Sequence, residues 1–179
     1  MSLVQNFLIL ALFAISCQAK VVNVKNSKSV ALTVRVGDEE HALAARGMLS
    51  LTLDDGWSGE ISAVPATAEV TDSPRTSATL SLSSTSDTYS ISLLNGFNLG
   101  LKIVPTGSSN CSSVVCAANL LNACPVANRV SNSLGEVVGC QLSTVIMSTM
   151  CPLAVVDDAT ALTNVKSCSD ALSLMVVIV

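Results

Sequence analysis

The sequence predicts an all-β protein, an antiparallel sandwich with a smaller part clamped by disulfides. Short runs of alternating apolar and polar residues, separated by turn residues, fill residues 20–105, and such runs are typical of half-buried strands. Six of the seven cysteines lie within residues 106–168. The chain has 179 residues and is 50% apolar, which suits one domain with a sizeable core. We therefore expect one domain at residues 20–179, ending in a final strand within residues 169–179.

Residues 1–19 have the pattern of a signal peptide. The apolar run FLILALFAI is followed by small residues up to Ala19, and the first charge is Lys20. The run is too short to span a bilayer as a helix. A buried N-terminal helix and lipidation of Cys17 are the alternatives. Cleavage after Ala19 predicts a secreted, extracellular protein.

Each strand is predicted from an alternation of apolar and polar residues along the sequence. In the first run, residues 29–36, polar Thr33 and Arg35 face away from the apolar positions. The apolar positions of the successive runs are Val30, Leu32, Val34 and Val36; Leu49, Leu51 and Leu53; Leu80 and Leu82; Tyr89, Ile91 and Leu93; and Leu99, Leu101 and Ile103. Turn signals between them are Asn26-Ser27, Gly37-Asp38, Asp54-Asp55-Gly56 and Asn95-Gly96.

The remaining segments are assigned by composition. Polar, proline-containing residues 65–76 read as a loop, and the Ser- and Thr-rich residues 81–90 as an exposed strand and hairpin tip. Residues 114–123 suit a short helix that ends before Pro125. The apolar residues 172–179 predict a buried final strand, with a lipid-anchor tail as the alternative.

The cysteine count indicates an oxidising compartment. Without Cys17 the count is six, an even number that predicts three disulfides. No CxxC spacing occurs, and His41 is the single histidine, so we expect no metal and no cofactor. His41 follows Asp38, Glu39 and Glu40 and is interpreted as a solvated loop side chain.

Charge excludes several classes of partner. Nine Lys and Arg are scattered along a chain of net charge −4, whereas nucleic acid needs clustered cations. Sparse cations and the lack of a long amphipathic pattern also argue against a membrane-perturbing protein. No GxSxG, HExxH, P-loop or dinucleotide motif is present. We expect a monomer.

Four segments carry a family resemblance. They are the run DGWSG at 55–59, the run YSISLLNGFNL at 89–99, Cys111–Cys116 followed by AAN and Cys124-Pro125, and Cys151-Pro152-Leu153-Ala154 followed by Asp157-Asp158 and Cys168. In this order they resemble the thaumatin-like (osmotin, pathogenesis-related 5) family across the chain from Lys20 to Val179. The resemblance implies a core sandwich with a reduced disulfide-clamped subdomain. It also implies the pairs Cys111–Cys168, Cys116–Cys151 and Cys124–Cys140.

The resemblance also implies an acidic cleft, and this chain departs from it. Thr79, Ser90 and Asn95 stand where the family has cleft carboxylates. Glu60 and Val64 stand where it has basic residues. Glycoside hydrolysis usually needs two carboxyl groups that flank the bond. The adjacent pairs Asp54-Asp55 and Asp157-Asp158 are expected to be solvated in turns.

We therefore expect a non-catalytic protein, related to defence, that binds carbohydrate such as β-glucan or an extracellular protein. A β-1,3-glucan hydrolase or glucan-binding antifungal protein is the alternative. Ser, Thr and Asn on a sandwich face could hydrogen-bond sugar hydroxyls. Tyr89 is the candidate for an exposed ligand contact, whereas Trp57 and Phe97 are expected to pack in the core or a turn. The sequon at Asn110 is a poor acceptor because it contains Cys111.

Overall fold

A computed structural model of the protein describes residues 19–68 and 74–179. Residues 1–18 of the predicted signal peptide lie outside the described residues, as do residues 69–73 of the predicted loop. The strands are β1 (Lys20–Asn26), β2 (Leu32–Val36), β3 (Glu39–Leu43), β4 (Met48–Leu53), β5 (Ser58–Pro65), β6 (Ser77–Ser81), β7 (Asp87–Ser92), β8 (Leu101–Thr106), β9 (Val114–Cys116), β10 (Arg129–Ser131), β11 (Val137–Cys140), β12 (Ala154–Val155), β13 (Lys166–Cys168) and β14 (Ser173–Ile178). The helices are α1 (Leu120–Ala123), α2 (Thr144–Met150) and α3 (Asp158–Asn164). Across the two described ranges, every helix is too short or too polar to cross a membrane.

Two sheets form the sandwich, as the sequence predicts. The first has the strand order β4-β1-β14-β8-β9. The second has the order β12-β7-β6-β5-β2-β3, and β13 also pairs with β7. Neighbouring strands are antiparallel except for two parallel pairs, β1 with β14 and β12 with β7. The first and last strands of the domain therefore lie side by side in the first sheet, with Val22 opposite Leu174.

One cluster of buried apolar side chains joins the two sheets. Its members lie at alternate positions along the central strands, which is the period expected when one face of a strand is covered. Completely or almost completely buried members include Val22, Val24, Ile103, Leu174 and Val176 from the first sheet and Leu32, Val34, Ile61, Ala78, Leu80 and Ile91 from the second. The opposite face of the second sheet is consequently free to carry polar side chains.

The strand predicted at residues 29–36 is β2 in the structure, and it begins three residues later than predicted. Strand β2 starts at Leu32, and Val30, expected to face inward, is 50% exposed. The reason is the buried side chain of Asn26, whose Nδ2 donates to the carbonyls of Val30 at 2.8 Å and Ala44 at 3.0 Å. Its Oδ1 accepts from the backbone N–H of Lys28 at 2.8 Å. These bonds hold residues 27–31 in a loop, so Val30 cannot extend the strand.

The hairpin that leads into β7 is more buried than predicted. Its tip at Ser84 and Thr85 is exposed, but Asp87 is only 2% exposed and Ser90 is also buried. Asp87 accepts from the Lys20 ammonium at 3.1 Å and from the backbone N–H of Ser83 at 3.0 Å. Strand β7 is flanked by β6, β12 and β13, so it lies inside the sheet instead of at an exposed edge.

Disulfides hold the part of the chain that has few long strands. They join Cys111 to Cys168, Cys116 to Cys151 and Cys124 to Cys140, which are the pairs implied by the resemblance. The helix expected at residues 114–123 is largely wrong. Residues 114–116 form β9, with Val114 opposite Ile103 of β8, and helix α1 begins only at Leu120. Consecutive β-branched valines at 114 and 115 favour the strand.

Candidate functional site

A row of polar side chains crosses the outer face of the second sheet. Arg35 of β2 lies opposite Ser62 of β5, Ser62 lies opposite Ser77 of β6, and Ser77 lies opposite Ser92 of β7. Directly opposed residues in antiparallel strands place their side chains on the same face. Their sequence neighbours Val34, Ile61, Ala78 and Ile91 belong to the core, so this row faces away from it.

Three of the positions equivalent to the family's cleft form a second row, parallel to the first. Glu60 lies opposite Thr79, and Thr79 lies opposite Ser90. Glu60 precedes Ser62 by two residues, so this row shares the outer face. Val64, two residues after Ser62, lies on that face as well. Four of the five sequence-predicted positions are thus brought onto one surface.

A cleft of about 630 Å³ opens between this face and the disulfide-clamped part of the chain. The cleft is lined by Arg35, Gly37, Asp38, Glu60, Ser62, Pro74, Arg75, Ser77, Leu94, Asn95, Gln141 and Leu142. Of the sequence-predicted positions, only Glu60 and Asn95 line it. Ser90 is buried and Thr79 is half-buried, and neither lines the cleft. Val64 lines two neighbouring cavities instead.

The far wall of the cleft is held against the sheet by backbone hydrogen bonds. Phe97 and Cys140 exchange two such bonds, each of 2.8 Å. This exchange brings Asn95, on one side, against Gln141, on the other. The backbone N–H of Arg75 donates to the carbonyl of Asn95 at 2.9 Å, which fixes the start of β6 to the same corner. The wall is therefore built from the loop after β7 and the segment after β11.

A buried amide stabilises this corner from below. Asn98 is 5% exposed, and its Nδ2 donates to the carbonyl of Ala63 in β5 at 2.8 Å. Its Oδ1 accepts from the backbone N–H groups of Thr76 at 3.0 Å and Leu99 at 2.8 Å. The side chain thus ties β5, the start of β6 and the loop after β7 together. A polar group that is satisfied in this way makes the loop rigid.

Charges of both signs line the cleft. Arg35 and Arg75 supply two cations, and Asp38 and Glu60 supply two carboxylates. Arg35 donates through Nη2 to Glu40 Oε1 at 2.7 Å, in an exposed ion pair. The guanidinium of Arg75 has no ion pair and no side-chain hydrogen bond among the described residues. Within the described ranges the lining is balanced in charge, not acidic.

Several lining residues were missed by sequence reasoning. Alternation placed Arg35 on the outward face of β2 but did not assign it a site. Asp38 was interpreted only as a turn residue, Arg75 belonged to a predicted loop, and Gln141 belonged to no motif. No local signal identifies the last two, because the cleft forms only when the segment after β11 approaches the sheet.

Tyr89 is not an exposed ligand contact. Its side chain is 1% exposed, and its hydroxyl donates to the carbonyl of Ser112 at 2.6 Å. Burial raises the pKa of the phenol above its ordinary value. Tyr89 is the neighbour of Ser90 in a strand, so the two side chains point to opposite faces, and Tyr89 takes the core face. Its role is to hold the loop that carries Cys111.

The other aromatic residues leave the cleft without a stacking platform. Phe97 is 2% exposed, and Trp57 packs against the core cluster with its ring over Gly59. Both positions agree with the expectation that these rings pack in the core or a turn. Within the described ranges, the lining of the cleft contains no aromatic side chain.

The adjacent acidic pairs lie away from the cleft. Asp54 and Asp55 precede the turn at Gly56, and both are exposed. Asp157 caps helix α3, where its Oδ1 accepts from the backbone N–H of Thr160 at 2.8 Å and from the Thr160 hydroxyl at 2.7 Å. These bonds lower the pKa of the carboxyl group, the backbone bond most strongly.

Two groups contain residue types that can bind a metal ion. The first group is Cys111, Cys168 and Asp170, but its two sulfur atoms form a disulfide and cannot act as thiolate ligands. The second is His41. His41 lies in β3 opposite Val34 and is half-buried, so the interpretation of it as a solvated loop residue is wrong. Its Nε2 is buried, lies 3.7 Å from Glu39 Oε2 and has no hydrogen-bond partner in the described part of the chain.

Comparison with known proteins finds one family that matches this chain. The model of the Thaumatin family matches residues 62–151, half of the chain, which include β6, β7 and the end of β5 from the second sheet and the far wall of the cleft. A thaumatin-like protein 1 from Pyrus pyrifolia is 36% identical over 109 residues, which are 59% of this chain and 43% of that protein. A glucan endo-1,3-beta-glucosidase from Prunus avium is 38% identical over 55 residues, which are 30% of this chain and 22% of that protein. The matched part thus spans less than half of these relatives.

A solved structure extends the likeness to nearly the whole fold. The structure of the thaumatin-like xylanase inhibitor TLXI superposes with a TM-score of 0.51 at 15% sequence identity. The superposition covers 88% of this chain and 97% of that one. At this identity the likeness concerns the fold alone.

Proposed function

Because the chain belongs to the thaumatin family, we propose that it is a secreted, defence-related protein that binds its ligand without catalysis. The ligand is a carbohydrate or a segment of an extracellular protein, and it occupies the cleft between the second sheet and the segment after β11. The observation that carries this proposal is the lining of the cleft. It presents hydroxyl, amide and charged groups around a volume of about 630 Å³.

The residues at the family's cleft positions support a non-catalytic role. Thr79, Ser90 and Asn95 cannot exchange protons near neutral pH as carboxyl groups do. The remaining acidic pairs, Asp54-Asp55 and Asp157-Asp158, lie outside the lining, and Asp157 already caps a helix. The solved neighbour named as a xylanase inhibitor supports the idea that this fold can act by binding.

Secretion is supported by two independent features. The apolar run before Ala19 fits a signal peptide, and three disulfides suit an oxidising compartment. Strand β1 begins at Lys20, whose ammonium pairs with the buried Asp87 at 3.1 Å. The first described strand thus starts directly after the predicted cleavage site. Expression of the full chain in a secreting host, with sequencing of the secreted N-terminus, is expected to give Lys20 first.

Binding can be tested with a panel of immobilised polysaccharides and a cleft variant. We expect retention of the disulfide-intact protein on at least one polysaccharide and a loss of about thirtyfold in affinity for the double variant Asn95→Ala/Gln141→Ala. The variant removes two amides, and each hydrogen bond is worth about 1 kcal/mol. Thr52→Ala, on the exposed outer side of β4, is the matched control. If every polysaccharide fails, a protein partner is left; if the double variant binds like the control, the cleft is not the site.

A hydrolase is the second candidate, because Asp38 and Glu60 both line the cleft. A matched relative is named a glucan endo-1,3-beta-glucosidase, and glycosidases use paired carboxyl groups. We expect no release of reducing ends from laminarin. Release that disappears in both Asp38→Asn and Glu60→Gln would establish hydrolysis and overturn the non-catalytic assignment.

A further inference from the structure

The charged groups of the cleft are segregated along its length. Arg35 shares a row with Ser62 and Ser77. Arg75 lies two residues before Ser77, toward one end of the cleft. Glu60 lies two residues before Ser62 on the antiparallel neighbour, so it lies toward the opposite end. At about 3.3 Å of rise per residue, Arg75 and Glu60 are separated by about 13 Å along the strands.

Arg75 lies at one end of the cleft, Asp38 and Glu60 lie at the other, and Arg35 lies in the row between them. Asp38 follows Gly37, whose backbone N–H donates to the carbonyl of Glu60 at 2.9 Å, so Asp38 belongs to the Glu60 end. Arg35 and Arg75 together line a smaller cavity of about 140 Å³ beside the cleft, and Glu40, the ion-pair partner of Arg35, lines it as well. Arg75, which has no ion pair among the described residues, is thus the unneutralised cation of the cleft, and it lies at the end away from Asp38 and Glu60.

The floor of the cleft carries polar groups that have no hydrogen-bond partner in residues 19–68 and 74–179. Ser62 is 8% exposed and Ser77 is 2% exposed, yet neither hydroxyl has a hydrogen-bond partner among the described residues. The guanidinium of Arg75 is likewise unpaired among those residues. His41 Nε2 is the only side-chain nitrogen or oxygen atom of the described residues that is both buried and unpaired, so the two serine hydroxyls remain accessible from the cleft. Two hydroxyls and a guanidinium that line one cleft and lack a partner among the described residues are therefore available to a ligand rich in oxygen atoms.

From this arrangement we propose that the cleft binds a saccharide that carries a carboxylate, such as a uronate unit. The inference rests on the proposed binding function and names its ligand class. Arg35 and Arg75 hold the carboxylate, because the planar guanidinium fork matches a carboxylate. Ser62 and Ser77 bond the sugar hydroxyls, and Asp38 and Glu60 accept hydroxyl protons at the far end.

The lining favours this class over other ligands. A polyphosphate or a densely sulfated chain would meet the carboxylates of Asp38 and Glu60, which repel closely spaced anions. A neutral glucan would displace water from the Arg75 guanidinium without giving it a carboxylate partner. The lost hydration of the guanidinium would weaken the binding of such a glucan. Leu94 and Leu142, which are 48% and 38% exposed, line the same cleft and offer apolar contact for the C–H face of a sugar ring. Ion pairing with Glu40 holds one side of the Arg35 guanidinium in place.

The test is a calorimetric titration of the disulfide-intact protein with tetragalacturonate and with its fully methyl-esterified form. The ester keeps every hydroxyl and removes the charge. We expect esterification to weaken binding by about tenfold or more, as loss of a charge-assisted hydrogen bond predicts. Arg75→Gln is expected to weaken binding of the acid by a similar factor and to leave binding of the ester unchanged.

Lys102→Gln is the matched control, because it removes one exposed cation from β8 in the other sheet. It is expected to bind like the parent protein. Thermal unfolding of Arg75→Gln should match that of the parent, since its guanidinium makes no ion pair or hydrogen bond among the described residues.

Three results would overturn the inference. Equal affinity for the acid and the ester, or for a neutral β-1,3-glucan oligosaccharide, would reject the carboxylate but leave the proposed binding function standing. Binding of a glutamate-rich peptide that depends on Arg75, without binding of the uronate, would reject the saccharide class. Failure of all these probes, together with failure of the polysaccharide panel, would reject a carbohydrate ligand altogether.

Discussion

Gly96 occupies the tightest corner of the cleft wall. Its φ is +86°, and a Cβ atom there would lie 2.4 Å from the carbonyl oxygen of Cys140 and 2.6 Å from Cβ of Pro74. We expect Gly96→Ala to lower the free energy of unfolding by about 3 kcal/mol, because left-handed strain of about 1–2 kcal/mol adds to the cost of overpacking. Urea unfolding followed by the fluorescence of Trp57, the single tryptophan, measures this change.

Gly56 supplies a matched comparison for that substitution. Its φ is also +86°, but a Cβ atom there would have no heavy atom within 4 Å. Gly56→Ala should therefore carry the backbone strain alone, about 1 kcal/mol. Equal losses in the two variants would show that Cys140 does not crowd Gly96.

Tyr89 is expected to make stability depend on pH in the alkaline range. Burial raises its folded-state pKa above the unfolded value of about 10. The neutral phenol is favoured in the folded state, so its contribution is fully present below the unfolded pKa and is lost as the pH rises through the folded pKa. Tyr89 is the single tyrosine, so tyrosinate absorbance reports on it alone.

The measurement compares native protein with protein unfolded in urea, both with intact disulfides. The native midpoint is expected at the higher pH. Tyr89→Phe, which lacks the titrating group, should keep a flatter profile of urea midpoint against alkaline pH. Coincident midpoints in native and unfolded protein would mean that the phenol is not buried.

At the scale of single residues, the motifs predicted which residues lie near the cleft better than they predicted which face of the sheet each side chain takes. The family resemblance placed Glu60 and Asn95 at cleft positions, and both line the cleft. The same motifs suggested Tyr89 as a contact, although alternation along β7 sends it to the core beside outward-facing Ser90. Arg75 could not be found, because the loop around it shows no period and its place depends on contacts distant in sequence.

At the scale of elements, alternation predicted the strands that bury one face. Strands β2, β4, β6, β7 and β8 fall within or close to the predicted runs, since a period of two records which side meets the core. The short strands β12 and β13 were not predicted, because two or three residues carry no period. Parallel pairing of β1 with β14 was also not predicted, since register between distant segments leaves no local signal.

The Cys124–Cys140 disulfide ties the end of helix α1 to strand β11, which leads into the cleft wall. Cys140 ends β11, bonds to Phe97 and precedes the lining residues Gln141 and Leu142. Replacing both cysteines by serine is expected to cost about 3 kcal/mol, the value for a loop of 16 residues. We also expect faster proteolysis within residues 125–139 and weaker ligand binding, because the wall loses its tie to α1.

Removal of the Cys111–Cys168 disulfide is the control that separates the loss of stability from the loss of ligand binding. This disulfide closes a longer loop, with a sequence separation of 57, and neither cysteine lines the cleft. Its double serine variant should lose about 4 kcal/mol of stability but bind ligand normally at temperatures where it is folded. Equal losses of binding in the two variants would mean that the cleft responds to overall stability and not to its wall.

At the scale of the whole molecule, the sequence separated two kinds of stabilisation. The strands of residues 20–105 and β14 contain no cysteine and form most of one apolar cluster, to which the later segment adds side chains such as Val114, Leu120 and Met147. The segment 107–168 holds its short elements with three disulfides. What composition could not predict is how the two parts meet, through the Phe97–Cys140 bridge and the pairing of β12 and β13 with β7.

Reduction of the disulfides should therefore unfold the molecule in two stages. Each disulfide contributes about 3–4 kcal/mol in the chain-entropy model, a large share of the 5–15 kcal/mol typical of a domain. Segment 107–168 depends on these links, whereas the two sheets retain their apolar core. Hydrogen exchange during reduction is expected to show loss of protection in β10, β11 and α2 first, with β1, β5, β6, β8 and β14 still protected. Simultaneous loss in both sets would mean that the sandwich cannot persist without its clamped part.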